Sequence, residues 1–423
     1  MEEWRGFYVR RTARKRANLR TVLTAVRKCL YNKKKKAAPR RRQEHVREKG
    51  LIHMKRWKIS EVPHLVHGRT NRETDPLTLF WTASGLELNV RAAELWVELY
   101  ADWSAYEPWF SFVVNGEFMS RRMAEKGTHR VCVFRGMNPE TVKNVRIVKD
   151  TQAMSGDPES LLQICALETD GSFEPVKARE LKLEFIGDSI TSGEGDIGAK
   201  LEEDWISMFF SAENNYAVMT ARALDADVRV LSQSGWGIGC GWDNNPHNAL
   251  PPAYEAVCGL LSGERNAALG AHRPHDFAAW QPDYIFINLG TNDCGAFNQP
   301  AWYDAKTGER FQNRREADGS FCAADIVRLQ EKVKAFLRTL RRCNPKAQLV
   351  WIYGMLGLEL APALEAAVAA YRAESGDSRA VFLPLADDIE NRGSRNHPGV
   401  GAHRTAAAEL TAYLLRSRNG QRD

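Results

Sequence analysis

The pattern of apolar residues changes near residue 177, and this change limits the possible folds more than any other feature of the sequence. From about residue 70 to residue 169, short segments alternate apolar and polar residues and are separated by turn signals such as Asn115-Gly116. That spacing is typical of a β-sandwich or jelly roll. From residue 177 onward, apolar strands alternate with helical segments, which predicts a parallel sheet covered by helices.

The length of 423 residues exceeds that of one typical domain, and an apolar fraction of 43% indicates a globular protein. We therefore predict three parts. Residues 1–59 form a basic leader, residues 60–176 form a β-sandwich (jelly-roll) domain, and residues 177–423 form a three-layer α/β/α domain with a parallel sheet.

The elements of the α/β part are placed from their hydrophobic period. Strands are predicted at 181–186, 228–231, 284–289, 348–353 and 381–385, and helices at 204–223, 325–342 and 404–415. A connection rich in Gly and Asn, 238–281, separates the second strand from the third. The carboxyl ends of parallel strands meet at one edge of the sheet, where open α/β sheets carry their sites.

Charge is distributed very unevenly along the chain. Residues 1–60 carry 21 Lys and Arg against 4 Asp and Glu, and the remaining residues have a net charge of −11. The acidic body therefore offers no basic face that would indicate nucleic-acid binding. The leader has three interpretations: a cationic segment that binds nucleic acid or an anionic membrane surface, a disordered tail, or upstream sequence with Met54 as the working start. We expect residues 1–53 to be dispensable.

Composition also bears on location and cofactors. The leader lacks the apolar core of a secretory signal, and no segment is long and apolar enough to span a membrane. The eight cysteines form no CxxC pair and no Cys/His cluster with zinc spacing, so we predict reduced thiols in a cytoplasmic protein. Neither a metal site nor a dinucleotide fingerprint is visible, and we predict no cofactor.

A serine follows the first predicted strand of the parallel sheet. The strand 181–186 is broken sharply by Gly187-Asp188-Ser189. An ordinary turn explains these three residue types equally well, because all of them favour turns. A hydroxyl at the carboxyl end of a buried strand is nevertheless well placed to act as a nucleophile.

Three further segments supply the groups that such a nucleophile needs. The second strand ends in a glycine turn that contains Gly235, the third ends in a turn that carries Asn292, and His397 lies in a loop before the last helix. Ser189 would attack a carbonyl while His397 takes its proton as general base. The N–H groups of Ser189 and Gly235 and the side-chain amide of Asn292 would hold the oxyanion.

The four segments together resemble a known superfamily. GDSIT at Gly187, SGWG at Ser234, GTND at Gly290 and HP at His397 occur in the order typical of SGNH/GDSL hydrolases. A β domain directly before them, with GRTN at Gly68, is similar to carbohydrate esterase family 2. That resemblance implies a jelly roll followed by a hydrolase domain, and an esterase that removes acetyl groups from the sugars of plant polysaccharides. It also implies the same roles for the four residues.

One position departs from the superfamily pattern. An Asp usually stands three residues before the histidine and orients its ring, whereas this chain has Ser394 there. Some family 2 esterases work with a Ser-His dyad, and a backbone carbonyl can fix the histidine tautomer. We therefore expect a dyad. The nearest acidic candidates for a third member are Asp387 and Asp388.

The substrate is predicted less directly. Trp236, Trp242 and Trp302 lie in loops expected at the same edge of the sheet, where an aromatic ring could stack on a sugar; packing is the alternative role for each. The same constellation serves many acyl groups, so a lysophospholipase, thioesterase or arylesterase is an alternative. A non-catalytic sugar-binding protein is the alternative outside the enzymes.

Overall fold

The computed structural model describes residues 54–419. The predictions for residues 1–53, including their dispensability and the state of Cys29, lie outside these residues.

The first part of the described chain consists of two antiparallel sheets. One sheet has the order β1-β10-β5-β8, with β3 paired to β10, and the other has the order β11-β4-β9-β6-β7, with β2 paired to β4. The strands are β1 (Lys55–Trp57), β2 (Leu65–His67), β3 (Leu77–Thr78), β4 (Gly85–Arg91), β5 (Glu94–Asp102), β6 (Trp109–Val114), β7 (Glu117–Met123), β8 (Gly127–Arg135), β9 (Val142–Lys149), β10 (Leu161–Thr169) and β11 (Ser172–Glu174).

The inward-facing residues of both sheets share one core, which includes Leu88, Val97, Phe112 and Ile164. The predicted sandwich is confirmed. The turn between β6 and β7 is Asn115-Gly116, and both residues have positive φ, 53° and 83°. Two-residue hairpin turns of this kind require positive φ at both positions, which Asn and Gly adopt at little cost.

The second part is built on one parallel sheet with the order β13-β12-β14-β17-β18. Its strands are β12 (Lys182–Gly187), β13 (Asp227–Ser232), β14 (Tyr284–Asn288), β17 (Gln348–Tyr353) and β18 (Ala380–Pro384), and a small hairpin is formed by β15 (Trp302–Tyr303) and β16 (Arg310–Phe311). The chain leaves β12 on one side to form β13 and returns on the other side to form β14. This reversal of strand order creates a crevice at the carboxyl ends of the strands.

Helices cover both faces of the parallel sheet. They are α1 (Ser189–Ser192), α2 (Tyr216–Ala223), α3 (Glu264–Ala268), α4 (Thr291–Ala296), α5 (Ala323–Cys343), α6 (Ala361–Ser375) and α7 (Val400–Asn419). On one face, α5 and α6 pack on the sheet through residues such as Phe336 and Val368. On the other, α2 and α7 do so through residues such as Ala217 and Leu410. The predicted α/β/α layering is confirmed.

One predicted helix is much shorter than expected, and one helix was missed. The predicted helix 204–223 is helical only in its last eight residues, Tyr216–Ala223, after a short 3₁₀ turn at Ser207–Phe209. Asn215 starts the helix, because its side chain accepts a hydrogen bond from the Ala217 N–H at 2.8 Å. The helix Ala361–Ser375 was not predicted at all. Its sequence is rich in alanine, which leaves only a weak apolar period to recognise.

The two sheet systems lie in one compact unit, His53–Asp423. The guanidinium of Arg69, just after β2, donates to Glu184 of β12 at 3.0 Å, and the indole N–H of Trp81 donates to the Val257 carbonyl at 2.7 Å. The division at residues 59/60 and 176/177 stays a prediction. Among the helices within residues 54–419, none has the length and hydropathy required to cross a membrane.

Candidate active site

Ser189 lies where β12 turns abruptly into α1. A side chain at Gly187 would collide with the Thr191 hydroxyl, so only glycine allows the helix to start this close to the strand. The Asp188 carboxylate caps the helix by accepting the Ile190 N–H at 3.1 Å. Gly193, in the left-handed conformation, ends the helix after four residues. The serine side chain is thereby held at the carboxyl edge of the sheet.

His397 is hydrogen-bonded to this serine. Its Nε2 lies 2.9 Å from the Ser189 Oγ, and its Nδ1 lies 3.1 Å from the carbonyl oxygen of Arg395. A carbonyl can only accept, so the Nδ1 carries the proton and Nε2 is left as the acceptor of the serine hydroxyl. This is the tautomer that a general base needs.

The backbone of the histidine loop is strained in a way that produces this contact. Arg395 and Asn396 have φ values of 52° and 56°, in the left-handed region that L-residues other than Asn and Asp seldom adopt. The loop is anchored to the segment after the serine, since the Ser394 N–H donates to the Gly195 carbonyl at 3.0 Å. The left-handed turn directs the Arg395 carbonyl toward the ring, and neighbouring contacts offset its cost.

Ser394, at the position where an Asp is usual, does not orient the ring. Its side chain is buried against Gly198, where an added Cβ would lie 2.5 Å from the Ser394 Cβ. Within residues 54–419 its hydroxyl has no hydrogen-bond partner. Asp387 bonds the Arg392 guanidinium, and Asp388 accepts from Asn391 at 2.8 Å. The histidine is therefore oriented by a backbone carbonyl.

The predicted oxyanion donors lie on turns at the carboxyl ends of β12, β13 and β14. Gly235 occupies the turn after β13 with φ of 79°, a conformation that favours glycine. Within the described part of the chain, neither the Gly235 N–H nor the Ser189 N–H donates a hydrogen bond. The amide of Asn292 donates to the Trp236 carbonyl at 2.9 Å and to Asp188 at 3.2 Å. The backbone N–H groups of Gly235 and Ser189 are thus available as donors, and the Asn292 amide is held by its bonds to Trp236 and Asp188.

Two buried aspartates support these turns. Asp293 accepts the N–H groups of Ile238 and Gly239 at 2.8 and 2.7 Å, and so fixes the loop that follows Gly235. Burial, together with the charges of Asp293 and Glu194, raises the pKa of Asp188 to about 7. Asp188 and Asp293 therefore hold the backbone of these turns in place by accepting its N–H groups.

The three predicted tryptophans differ in position. Trp242 is 53% exposed and lies beside Gly235, to whose carbonyl it donates its backbone N–H at 3.1 Å. Trp236 is half-buried and packs against the core of the α/β part. Trp302 lies on the small hairpin, edge-to-face with the His247 ring at 5.3 Å between centroids. The structure thus places Trp236 in the Gly235 turn, Trp242 beside that turn and Trp302 on a separate hairpin.

Two residues near the site were missed by the sequence analysis. Glu194 is buried, with Oε1 3.7 Å from His397 Nε2 and 3.4 Å from Arg395 Nε. Its place in the run after Ser189 was a usable signal. Gln152, from the sandwich, contacts the segments that carry Ser189 and Gly235. Its distance along the chain from either segment left no signal. Within residues 54–419, no group of three or more His, Cys, Asp or Glu side chains is arranged to hold a metal ion.

A comparison with protein families identifies this arrangement. A model of the GDSL-like Lipase/Acylhydrolase family matches residues 185–408, which is more than half of the chain. The chain belongs to this family. The family resemblance predicted from the four motifs is therefore confirmed, and the serine turn and the histidine both lie within the matched region.

Solved structures extend the likeness over both sheet systems. An acetyl xylan esterase from the rumen bacterium Butyrivibrio proteoclasticus is 42% identical, with a TM-score of 0.85 over 87% of this chain and 99% of that chain. A family two carbohydrate esterase from Clostridium thermocellum, solved in complex with cellohexaose, is 23% identical, with a TM-score of 0.69 over 84% of this chain and 99% of that one. The second likeness shows the fold alone.

Curated relatives are esterases as well. The cellulase/esterase CelE of Acetivibrio thermocellus is 26% identical over 342 residues, which are 79% of this chain but only 37% of that protein. An acetylxylan esterase / glucomannan deacetylase of Cellvibrio japonicus is 26% identical over 358 residues, 83% of this chain and 88% of the relative. The chain is therefore an enzyme of the esterase class.

Proposed function

We propose that this protein is a serine esterase that removes acetyl groups from O-acetylated carbohydrates through an acyl-enzyme intermediate. The observation that carries the proposal is the 2.9 Å contact between Ser189 Oγ and His397 Nε2. The backbone N–H groups of Ser189 and Gly235 donate no hydrogen bond within residues 54–419 and are available for the substrate. Substrate class is supported by the 42% identical relative, which is named as an acetyl xylan esterase.

The first half of the reaction transfers the acetyl group to the enzyme. Ser189 Oγ attacks the acetyl carbonyl carbon while its proton moves to His397 Nε2. The carbonyl oxygen becomes an oxyanion, which accepts from the N–H groups of Ser189 and Gly235. When the tetrahedral intermediate collapses, the C–O bond to the sugar breaks, and the sugar oxygen takes the proton from His397.

The second half restores the enzyme. His397 takes a proton from a water molecule as that water attacks the acyl carbon. The same donors stabilise the second oxyanion. The bond to Ser189 then breaks, its oxygen regains a proton from His397, and acetate leaves.

The positive charge that forms on His397 has no hydrogen-bonded carboxylate on Nδ1. The Arg395 carbonyl accepts from Nδ1 instead, which keeps the ring in one tautomer and stabilises the charged ring through its dipole. This contact supports the Ser-His dyad predicted from the sequence, with no assigned role for Asp387 or Asp388.

Asn292 acts as the third donor in this proposal. The Trp236 carbonyl fixes one N–H of its amide at 2.9 Å. The other N–H makes the longer contact of 3.2 Å with Asp188. A developing oxyanion is a stronger acceptor, and it draws this second N–H toward the substrate.

Trp242 is the tryptophan best placed to bind the sugar. Its side chain is half-exposed and adjoins the Gly235 turn, so a sugar ring stacked on the indole would bring an acetyl group toward Ser189. Trp236 forms the buried side of the same turn. Trp302 would contact only a longer oligosaccharide.

The cytoplasmic location also remains a proposal, and cell fractionation tests it.

The test is acetate release from acetylated xylo- and gluco-oligosaccharides, with an aryl acetate and a long-chain acyl ester alongside. We expect release by the wild type, loss of turnover in Ser189→Ala and no change in Ser378→Ala, a serine exposed on the surface. Faster turnover of the long-chain ester would move the assignment to a lipid esterase. Sugar binding without any turnover would leave a non-catalytic binding protein.

A further inference from the structure

A buried polar network connects the sandwich to the catalytic edge. At its centre is Gln152, in the segment directly after β9, whose side chain is completely buried. Its Oε1 accepts two hydrogen bonds from the α/β part: one from the Ser192 hydroxyl at 2.9 Å and one from the backbone N–H of Ser234 at 2.7 Å. The Oε1 of Gln152 therefore holds two separate segments of the α/β part, the helix α1 and the turn after β13.

These two donors lie next to the groups proposed to act on the substrate. Ser192 belongs to α1, the same four-residue helix that carries Ser189. Ser234 is the residue directly before Gly235 in the turn after β13. The Ser192 hydroxyl also lies 2.9 Å from the Ser232 hydroxyl at the end of β13, so the network closes on itself behind the serine.

The segment that presents Gln152 is itself firmly held. The buried ammonium of Lys149 donates to the carbonyls of Phe80 at 3.2 Å and Thr151 at 2.8 Å, and to the carbonyl of Gln152. The carboxylate of Asp150 accepts the Ala212 N–H at 2.9 Å. The bonds of Lys149 and Asp150 thus hold the backbone from which the Gln152 side chain extends.

We propose that Gln152 is a positioning residue: the sandwich domain sets the distance between the nucleophile's helix and the oxyanion turn through one amide oxygen. This inference rests on the proposed roles of Ser189 and Gly235. Donors stabilise an oxyanion only if they are aimed at it before the reaction, because reorganisation during the step costs free energy. Gln152 supplies that pre-organisation.

Loss of this oxygen has a defined consequence. The Ser234 N–H would be left buried without a partner, which favours relaxation of the turn. Gly235 would then be misplaced relative to Ser189. The oxyanion is absent from the bound substrate and forms only in the tetrahedral intermediate and the transition states that flank it, so kcat should fall and KM should stay nearly constant. A misplacement of about 1 Å can cost 10²-fold, so we expect a loss in kcat of roughly 10- to 100-fold.

The experiment compares four variants. Gln152→Met keeps the length of the side chain and removes the acceptor, and Gln152→Glu keeps an acceptor oxygen and should restore at least part of kcat. Ser192→Ala removes the bond from α1 to Gln152 and the contact with Ser232 but leaves the bond from Ser234 in place, so it should have a smaller effect. Gln163→Met is the matched control, because Gln163 is also buried in the sandwich and bonds Thr78 at 2.9 Å.

Two readouts are measured on each variant: kcat and KM with an aryl acetate, and hydrogen exchange of the backbone amides at 233–237. The expected result is a lower kcat with unchanged KM and faster exchange at 233–237 in Gln152→Met, with neither change in Gln163→Met. Unchanged kcat and exchange in folded Gln152→Met would overturn the proposal, and so would an equal loss in Gln163→Met.

Exchange keeps this test separate from the test of function. If the wild type releases no acetate, the proposed function fails, and exchange at 233–237 still decides whether Gln152 holds the turn. If Gln152→Met does not fold, Ser192→Ala decides the matter. We expect a smaller loss of kcat in that variant, together with faster exchange of the backbone amides of α1. Wild-type values in that variant would overturn the proposal.

Discussion

Two histidines, His397 at the catalytic edge and His67 between the two sheet systems, have opposite surroundings. His397 is hydrogen-bonded to a neutral hydroxyl through Nε2 and to a neutral carbonyl through Nδ1, and the Glu194 carboxylate lies farther away, 3.7 Å from Nε2. His67 is buried between two carboxylates, with Nε2 2.7 Å from Glu87 and Nδ1 2.8 Å from Asp227. The first ring contacts the serine that we propose as nucleophile, whereas the second bridges two acidic side chains.

The difference shows how this fold separates chemistry from cohesion. Burial by itself would lower the pKa of His67, but its hydrogen bonds to Asp227 and Glu87 raise it above the ordinary value. His67 thus joins β2 and β4 to β13 through two carboxylates that favour the charged form of its ring. Within residues 54–419 no carboxylate is hydrogen-bonded to His397, which suits the general-base role that we propose for it.

The largest effect should come from the buried ion pair between the two sheet systems. Arg69→Met leaves the Glu184 carboxylate buried without its cation, and we expect the free energy of unfolding to fall by about 3–5 kcal/mol. Denaturant unfolding measures this change, with the exposed Arg72→Met as control. Glu184 lies in the first half of β12, five residues before Ser189 and away from the carboxyl end of the strand. The kcat of the folded variant should therefore be unchanged. A large loss of kcat without loss of stability would reverse the assignment of the two regions.

At the catalytic edge the opposite result is expected. Asn292→Ala removes one oxyanion donor and should lower kcat by roughly 10²- to 10³-fold with little change in the unfolding midpoint. Steady-state kinetics on an aryl acetate give this number. Asn298→Ala, at an exposed asparagine that bonds Arg315, should behave as the wild type. An effect of Asn292→Ala on KM alone would remove the amide from the transition-state interactions.

His67 should make stability depend on pH in a defined direction. Its pKa is raised in the folded state, so its contribution is fully present below the ordinary value of 6.5 and is lost as the pH rises through the folded pKa. Each unit of that elevation corresponds to about 1.4 kcal/mol. The stability difference between wild type and His67→Gln should therefore shrink with rising pH.

The control for this measurement is His64→Gln, because the ring of His64 is hydrogen-bonded to the Val62 carbonyl at 2.8 Å and, within residues 54–419, to no carboxylate. A stability difference for His67→Gln that stays constant from about pH 6 to about pH 9 would mean that His67 is not held as a cation.

The smallest effect is expected from the two aspartates near the histidine loop. Asp388→Ala and Asp387→Ala should each leave turnover within about tenfold, a barrier change of roughly 1.4 kcal/mol. The reason is that neither carboxylate bonds His397: Asp388 accepts from Asn391, and Asp387 accepts from Arg392 and from the Gly357 N–H. Turnover of the folded variants is the measurement. A loss of several hundredfold in either one would make that residue the missing third member of a triad.

Local sequence determined much of this protein. The alternating segments predicted the sandwich, and Asn115-Gly116 predicted its hairpin, because backbone sterics at two residues decide such a turn. The four motifs placed Ser189, Gly235, Asn292 and His397 at strand ends and in the loop before the last helix. Parallel pairing then brings strand ends to one edge, so their convergence could be predicted from connectivity alone.

Tertiary structure decided what no local pattern encodes. The Arg395 carbonyl faces His397 because Arg395 and Asn396 are left-handed, and the residues on either side of this pair, Ser394 and His397, pack against Gly195. The bonds from Gln152 to Ser192 and Ser234 join residues 40 and 82 positions apart. Such contacts depend on how two separately formed sheets pack together, and burial makes them strong because water cannot replace a missing partner.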